Sequence, residues 1–492
     1  MMSENGRNRI DRDFETEEER RARLRRKKRR KEQKRKRIML LTTLLVILGV
    51  VLVVLILIPK KKGEGGQKAA SGSSEASIST SEGASSSASS SSSQAAPKSD
   101  MATLLSDADR LAKMYDYDKA IEMLQSSPYA AETEVKAMIS TYEADKAELK
   151  DYDHSKITHI FFHSLIVDSD IAFKSSNAAN YNSVMTTIPE FNEILKQMYE
   201  KGYVLVTMHD ICTFDENGTL HKNPIMLPPG KIPFVISQDD VCYYEYMEGQ
   251  GFATRFVIGE DGRPTLEYKD KNGNVTTGDY DLVPILDHFV DEHPDFSYRG
   301  SKAILAFTGY NGILGYRTDE TYDPNSPNYN PEKYRNENIE NDRAMVKKIT
   351  QALKDDGYEF ASHSWGHIRT GDCTLERLKT DTDKWERNVE PLLPDPCPIL
   401  IYPFGSDIGN WRPYAEDNEK FKVLYDAGFR YYLTVDSAQY WLQYNSNYMR
   451  GGRRNVDGYR LYQDLTGEQN RLGDILDVKK VFDTVRPTPV EQ

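Results

Sequence analysis

The chain has 492 residues, too many for one ordinary domain, and 38% of them are hydrophobic, with much of the deficit in the first hundred. Residues 1–68 hold 21 Lys+Arg against 9 Asp+Glu, net +12; the whole chain is −12, so residues 69–492 carry −24. That acidic balance argues against nucleic acid and against tight binding of anionic polymers. Four cysteines with no C-x-x-C pair point to neither a disulfide scaffold nor a zinc ribbon.

The chain opens with a basic tail, residues 1–37, in which fourteen Lys/Arg fall between Arg20 and Arg37. An uncharged apolar run of 21 residues, Ile38 to Ile58, follows it. A membrane span needs about 20 residues, so 38–58 is expected to be a transmembrane helix. Only three basic residues, Lys60 to Lys62, come directly after it. The positive-inside rule puts the N-terminus in the cytoplasm and the rest outside. No small-x-small cleavage site follows Ile58 at once, which favours an uncleaved anchor over a signal peptide. Residues 59–100 are dominated by Ser, Ala, Gly and Glu and show no apolar periodicity. They read as a disordered tether with an r.m.s. span of roughly 35 Å.

Residues 101–152 change character. Leu104, Ala108, Leu111, Ala112 and Tyr115 recur at helical spacing, as do Ala120, Ile121 and Leu124, then Val135, Met138, Tyr142 and Leu149. The segment looks like one degenerate tetratricopeptide unit. A lone repeat cannot bury both faces, so the expectation is a helical stalk packed on the next domain. A protein partner at 101–152 is the alternative.

From residue 153 to 492 the pattern is mixed α/β. Strand candidates are Ile157–Phe162, Val204–Thr207, Pro233–Ser237, Lys302–Thr308, Glu359–Ser362, Ile399–Tyr402 and Tyr431–Val435. Helix candidates lie between them: Thr187–Lys201, Leu282–Glu292, Asn338–Asp356, Leu375–Leu392 and Asn418–Ala427. This alternation implies a parallel sheet or barrel. Residues 252–281 read instead as a strand-turn-strand insertion with Asp261-Gly262 and Asn272-Gly273 turns.

Three motifs sit at the ends of predicted strands. Asp239-Asp240 ends the apolar run Ile232-Pro-Phe-Val-Ile-Ser-Gln. His363 and His367 stand in Ala361-Ser-His-Ser-Trp-Gly-His. Leu400-Ile-Tyr-Pro-Phe-Gly405 follows. In this order they resemble the polysaccharide deacetylases, carbohydrate esterase family 4. The resemblance covers roughly residues 155–460. It implies a distorted or incomplete (β/α) barrel and a metal-dependent hydrolase that removes N-acetyl groups from a polysaccharide. Barrel enzymes carry their reactive side chains at strand C-terminal ends, where all three motifs fall.

The resemblance implies a role for each residue. Asp240, His363 and His367 supply the metal ligands, one oxygen and two nitrogens, leaving an open position; this set suits a divalent metal, with Zn2+ expected. Asp239, whose side chain diverges from that of Asp240 in an extended strand, takes the proton of the attacking water. Ser364 orients His367 or its loop. The backbone N–H of Phe404 helps hold the oxyanion. Two family features are missing. Ile401 stands where the family often has the arginine that pairs with the base, and no histidine follows His367. Ile157-Thr-His-Ile-Phe-Phe-His resembles the branch with an early histidine as acid, which maps onto His163. Arg450, Arg453 or Arg454 could replace the arginine, unless Met449-Arg-Gly-Gly-Arg-Arg is a solvated basic loop. His209-Asp210 mimics a catalytic dyad but ends a strand preceding the Asp-Asp motif. The expected substrate is an N-acetylated surface glycan, peptidoglycan first, on a Gram-positive-type cell surface. A deacetylase-like barrel that binds glycan without turnover is the alternative.

Overall fold

The computed structural model describes residues 98–332, 335–436 and 439–492. The basic tail, the expected membrane span and residues 59–97 of the serine-rich tether lie outside the described residues; the last three residues of the expected tether, 98–100, instead open a helix. Among the described residues no helix is long and apolar enough to cross a membrane.

All seven predicted strands form, with ends shifted by a residue or two: β1 (Thr158–Phe162), β2 (Tyr203–Leu205), β3 (Ile232–Gln238), β4 (Ile304–Phe307), β5 (Glu359–Ser362), β6 (Ile399–Ile401) and β7 (Tyr431–Val435). β8 (Leu442–Tyr444) and β9 (Met449–Asn455) complete the sheet. Seven parallel strands close a barrel in the order β4-β5-β6-β7-β9-β1-β3, with β3 pairing back to β4. The closure is uneven. β2 pairs with Ile232, Pro233 and Phe234, whereas β4 pairs only with Ser237 and Gln238. Two strands therefore share one side of β3, and this is the distortion expected of the barrel. β8 runs antiparallel on β9.

Six of the seven barrel strands are short apolar runs because parallel strands covered by helices are buried on both faces. β9 breaks that pattern. Its sequence is Met-Arg-Gly-Gly-Arg-Arg-Asn, yet its first six residues are buried. The expected alternative of a solvated basic loop is corrected here. Each arginine is neutralised by a carboxylate across the sheet: Arg450 by Asp407, Arg453 by Asp239 and Arg454 by Asp474. Gly452 is required by crowding, since a Cβ there would lie 2.8 Å from the Asp436 Cβ and 3.0 Å from the Trp441 ring.

Five helices match the predicted ones: α4 (Ile188–Glu200), α5 (Leu282–Glu292), α6 (Ile339–Asp355), α7 (Leu375–Asn388) and α8 (Glu419–Asp426). α7 stops at Asn388 rather than Leu392, because Pro391 cannot continue the helix; a 3-10 turn covers Glu390–Leu392. The 252–281 insertion holds three antiparallel strands, not two: Arg255–Ile258, Pro264–Lys269 and Val275–Gly278. Each of its two Gly-containing turns makes a hairpin.

The segment before the barrel forms α1 (Lys98–Lys113), α2 (Tyr117–Gln125) and α3 (Thr133–Ala147). Their buried residues Ala108, Tyr115, Leu124 and Val135 join one apolar cluster with the barrel residues Val204, Val235, Ile304 and Ile401.

Candidate metal centre

β3 delivers Asp239 and Asp240 at its C-terminal end. Asp239 continues the strand, and its N–H donates to the Phe162 carbonyl at 2.8 Å. Asp240 leaves it, with φ +60. A left-handed turn at a non-glycine residue is costly, and such strain collects at functional sites. It brings Asp240 close to His367: its Oδ1 lies 3.8 Å from His367 Nε2. Its other contact is the buried Tyr244, whose hydroxyl donates to Oδ1 at 2.6 Å and sits 2.7 Å from Thr308 Oγ1.

β5 delivers the histidines. His363 is buried, and its Nδ1 lies 2.9 Å from the carbonyl oxygen of Ile401. That contact makes Nδ1 the donor and leaves Nε2 as the free lone pair. Burial pushes the His363 pKa down to about 4, against the pull of Asp239 and Asp240, so the ring is neutral at pH 7. A neutral imidazole is the ligating form. After it comes a tight turn in which Ser364 (φ +56) and His367 (φ +48) are both left-handed. Ser364 Oγ accepts the Ile368 N–H at 2.9 Å and so ties the turn that carries His367.

Asp240, His363 and His367 each offer one donor atom, and the three atoms lie within 4.8 Å of one another. Donors around a tetrahedral zinc are about 3.4 Å apart at ordinary bond lengths, so a small inward adjustment closes the set on an ion. One carboxylate oxygen and two imidazole nitrogens also fit the chemistry of a borderline divalent cation.

Asp239 stands beside this set. Its Oδ2 is 3.8 Å from His363 Nε2. Arg453, fully buried, grips it with a two-pronged pair, 2.7 Å to Oδ1 and 2.9 Å to Oδ2. The same guanidinium donates to Ser237 Oγ at 3.0 Å, and Ser237 meets His159 Nε2 at 2.8 Å. Burial pushes the Asp239 pKa up, but Arg453 and then His363 outweigh it and hold the carboxyl well below the usual range. Of the three candidate arginines, Arg453 alone reaches Asp239. Arg450 fixes the loop after β6 through Asp407, and Arg454 serves Asp474.

His163 follows the last residue of β1 and is half-buried, with its ring 5.9 Å from that of Phe161. It lies near enough to Asp239, Asp240 and Asp457 for a proton on its ring to lower the proton affinity of each. Phe404 lies on the turn after β6, with φ +58. Its ring packs 4.5 Å from the His367 ring, and the Arg369 guanidinium lies 4.3 Å from the Phe404 ring centroid.

The remaining candidates fall elsewhere. His209 pairs with Glu359, the first residue of β5, so it sits at the opposite end of that strand from His363. It lines a cavity of about 620 Å³ there, together with Lys302 and Lys354. Cys242 is buried against Thr308, and burial pushes its thiol up to about 12, leaving it an inert packing residue. His288 is exposed and pairs with Asp279, while His293 stacks 4.3 Å from Tyr199. Sequence reading missed Tyr244 as the partner of Asp240 and Thr308 as the support of Tyr244; nothing in a chain with 30 tyrosines marks that one.

No family model and no curated protein sequence matches the chain. Solved structures similar to it include the Streptococcus pyogenes deacetylase PplD in complex with acetate, at 12% identity and a TM-score of 0.33, covering 63% of this chain and 98% of that one. A de-N-acetylase from Aggregatibacter actinomycetemcomitans matches at 12% identity and 0.33, over 65% of this chain and 99% of that one. The BpsB deacetylase domain from Bordetella bronchiseptica matches at 12% and 0.32, over 63% and 98%.

Proposed function

We propose that the chain is a metal-dependent de-N-acetylase of an N-acetylated surface glycan, with peptidoglycan as the favoured polymer. One observation carries the reading: a carboxylate locked in the ionised state by Arg453 stands next to a separate oxygen-nitrogen-nitrogen donor set. A module that only binds glycan has no need of a base beside three metal donors.

Asp240, His363 and His367 would hold a divalent cation, which would supply Lewis-acid chemistry by polarising an acetamide carbonyl and lowering the pKa of water. Asp239 is the general base. Its low proton affinity in the resting site keeps it ionised, and the two-pronged arginine fixes which lone pairs face the attacking water. The Phe404 N–H, fixed by its left-handed turn before charge develops, donates to the carbonyl oxygen. His163 gives its proton to the departing amine nitrogen. The products are acetate and a free glucosamine-type amine. Residues 38–58 as an anchor and 59–100 as a tether would hold the domain in the wall layer outside the membrane.

The test is acetate release from peptidoglycan and from chitin-type oligomers with zinc supplied. Wild-type release that falls at least about a thousandfold in Asp239→Asn, with folding and metal binding kept, is the expected result. Equal release by the variant, or none by the wild type on any N-acetylated polymer, overturns the reading.

A further inference from the structure

Three tyrosines form a stack that starts on a candidate metal ligand and ends in solvent. Tyr244, bonded to Asp240, has its ring 5.4 Å from Tyr310 at 21° and 5.3 Å from Tyr246 at 12°. Both contacts are stacked. Tyr246 is 56% exposed, whereas Tyr244 is 3% exposed. Burial first and the charge of Asp240 next push the Tyr246 hydroxyl upward.

The turn carrying Tyr246 is pinned on both sides. The Glu245 N–H donates to Asn311 Oδ1 at 3.0 Å, and the Tyr322 hydroxyl donates to the Glu245 carboxylate at 3.1 Å. A flat aromatic surface held in advance loses little entropy when a ligand settles on it. The apolar C–H face of a pyranose ring is a ligand of matching shape and polarity. The other exposed aromatics near this end suit that role less well. Phe404, also 56% exposed, has its ring shared between His367 and Arg369. Trp411, 71% exposed, belongs to the loop held by Arg450 and Gln443.

We propose that Tyr246 is a specificity platform: it stacks on the sugar unit linked to the one whose acetamide reacts, so the site prefers units within a linear glycan over isolated sugars. This rests on the deacetylase reading above. Tyr246 acts on binding and takes no part in the bond changes.

The experiment compares the full chain with Tyr246→Ala and Tyr246→Trp on β-1,4-linked N-acetylglucosamine oligomers of one to five units. Acetate release gives kcat and KM, and calorimetry gives binding of the pentamer. In Tyr246→Ala the pentamer KM should rise about tenfold, with kcat and single-sugar turnover unchanged, and Tyr246→Trp should restore it. If wild-type release is normal and Tyr246→Ala leaves KM alone at every length, the platform is overturned and the deacetylase reading survives. A loss of single-sugar turnover equal to the pentamer loss also overturns it, since Tyr246 would then only be supporting Tyr244 and Asp240. If the wild type releases no acetate but Tyr246→Ala still weakens pentamer binding, Tyr246 is a glycan-binding platform and deacetylation of chitin-type oligomers falls. No release and no change in binding overturn both.

Discussion

Arg453 does two things to Asp239, and they are separable. Its charge lowers the proton affinity of a carboxyl that burial alone would raise. Its planar fork fixes the orientation of both oxygens. Lysine keeps the charge and loses the fork, while alanine loses both. Since Arg453 depresses the Asp239 pKa, its removal moves that pKa upward, and the base is then protonated over a wider acidic range. The acid limb of kcat/KM should shift to higher pH in Arg453→Ala and stay near its wild-type position in Arg453→Lys. Both variants should lose about a hundredfold or more on the plateau through misorientation. A pH–rate profile of the two variants checks this, and an unmoved limb in Arg453→Ala removes the electrostatic role. The same residue shows where the sequence was legible. Asp239, Asp240, His363 and His367 stand in short local patterns after apolar runs. Arg453 is separated from Asp239 by 214 positions and lies in a strand with no apolar run. Its choice over Arg450 and Arg454 depends on strand register, since alternate residues face opposite sides of the sheet.

At the scale of elements, one buried carboxylate ties the site's strands to a helix. Asp281 caps α5 through the Leu282 N–H at 2.8 Å, and the same Oδ1 accepts the Leu165 N–H at 3.0 Å and Gln238 Nε2 at 2.7 Å. Its Oδ2 accepts the Tyr243 hydroxyl at 2.8 Å. Leu165 follows β1 and Gln238 ends β3, so this group spans the segments that present His163 and Asp239. Burial nevertheless raises its pKa from 3.8 to about 6, outweighing those four donors. A carboxyl raised on folding contributes stability that is fully present below the unfolded pKa and is lost as pH rises through the folded one. The gap of roughly two pH units corresponds to about 3 kcal/mol. The wild type should therefore lose about that much stability relative to Asp281→Asn between pH 4 and pH 6.5, with no further change above. Urea unfolding of both proteins across that range measures it, and parallel curves would sink the assignment. The elements themselves were mostly legible, because buried parallel strands and amphipathic helices write distinct periodicities. The third strand of the insertion, Val275–Gly278, was not, because three of its four residues are exposed and carry no alternation.

At the scale of the molecule, the question is whether α1–α3 form a separate module or the floor of the barrel. Their buried residues belong to the same apolar cluster as β2, β3, β4, β6 and β7. The links are also polar. The Arg299 N–H donates to the Met114 carbonyl at 2.8 Å, the Tyr115 hydroxyl donates to the Asp295 carbonyl at 2.8 Å, and Arg110 pairs with Asp291. Further along, Lys150 and Asp151 pair with Leu227 and Met226 ahead of β3. Cutting the chain between 149 and 153 would strip apolar cover from Ile157, Val204, Ile225 and Tyr298, which are all at most 2% exposed. Each such side chain is worth about 1.5–3 kcal/mol when buried. Their summed exposure is comparable to the whole stability of an ordinary domain. A chain starting at residue 98 should therefore unfold in one cooperative transition, and a chain starting at residue 153 should be insoluble or lack one. Thermal unfolding followed by circular dichroism distinguishes the cases. If the shorter chain melts cooperatively at the same temperature, the helices are an independent module, and a recruiting role for residues 101–152 becomes the better account of why they are there.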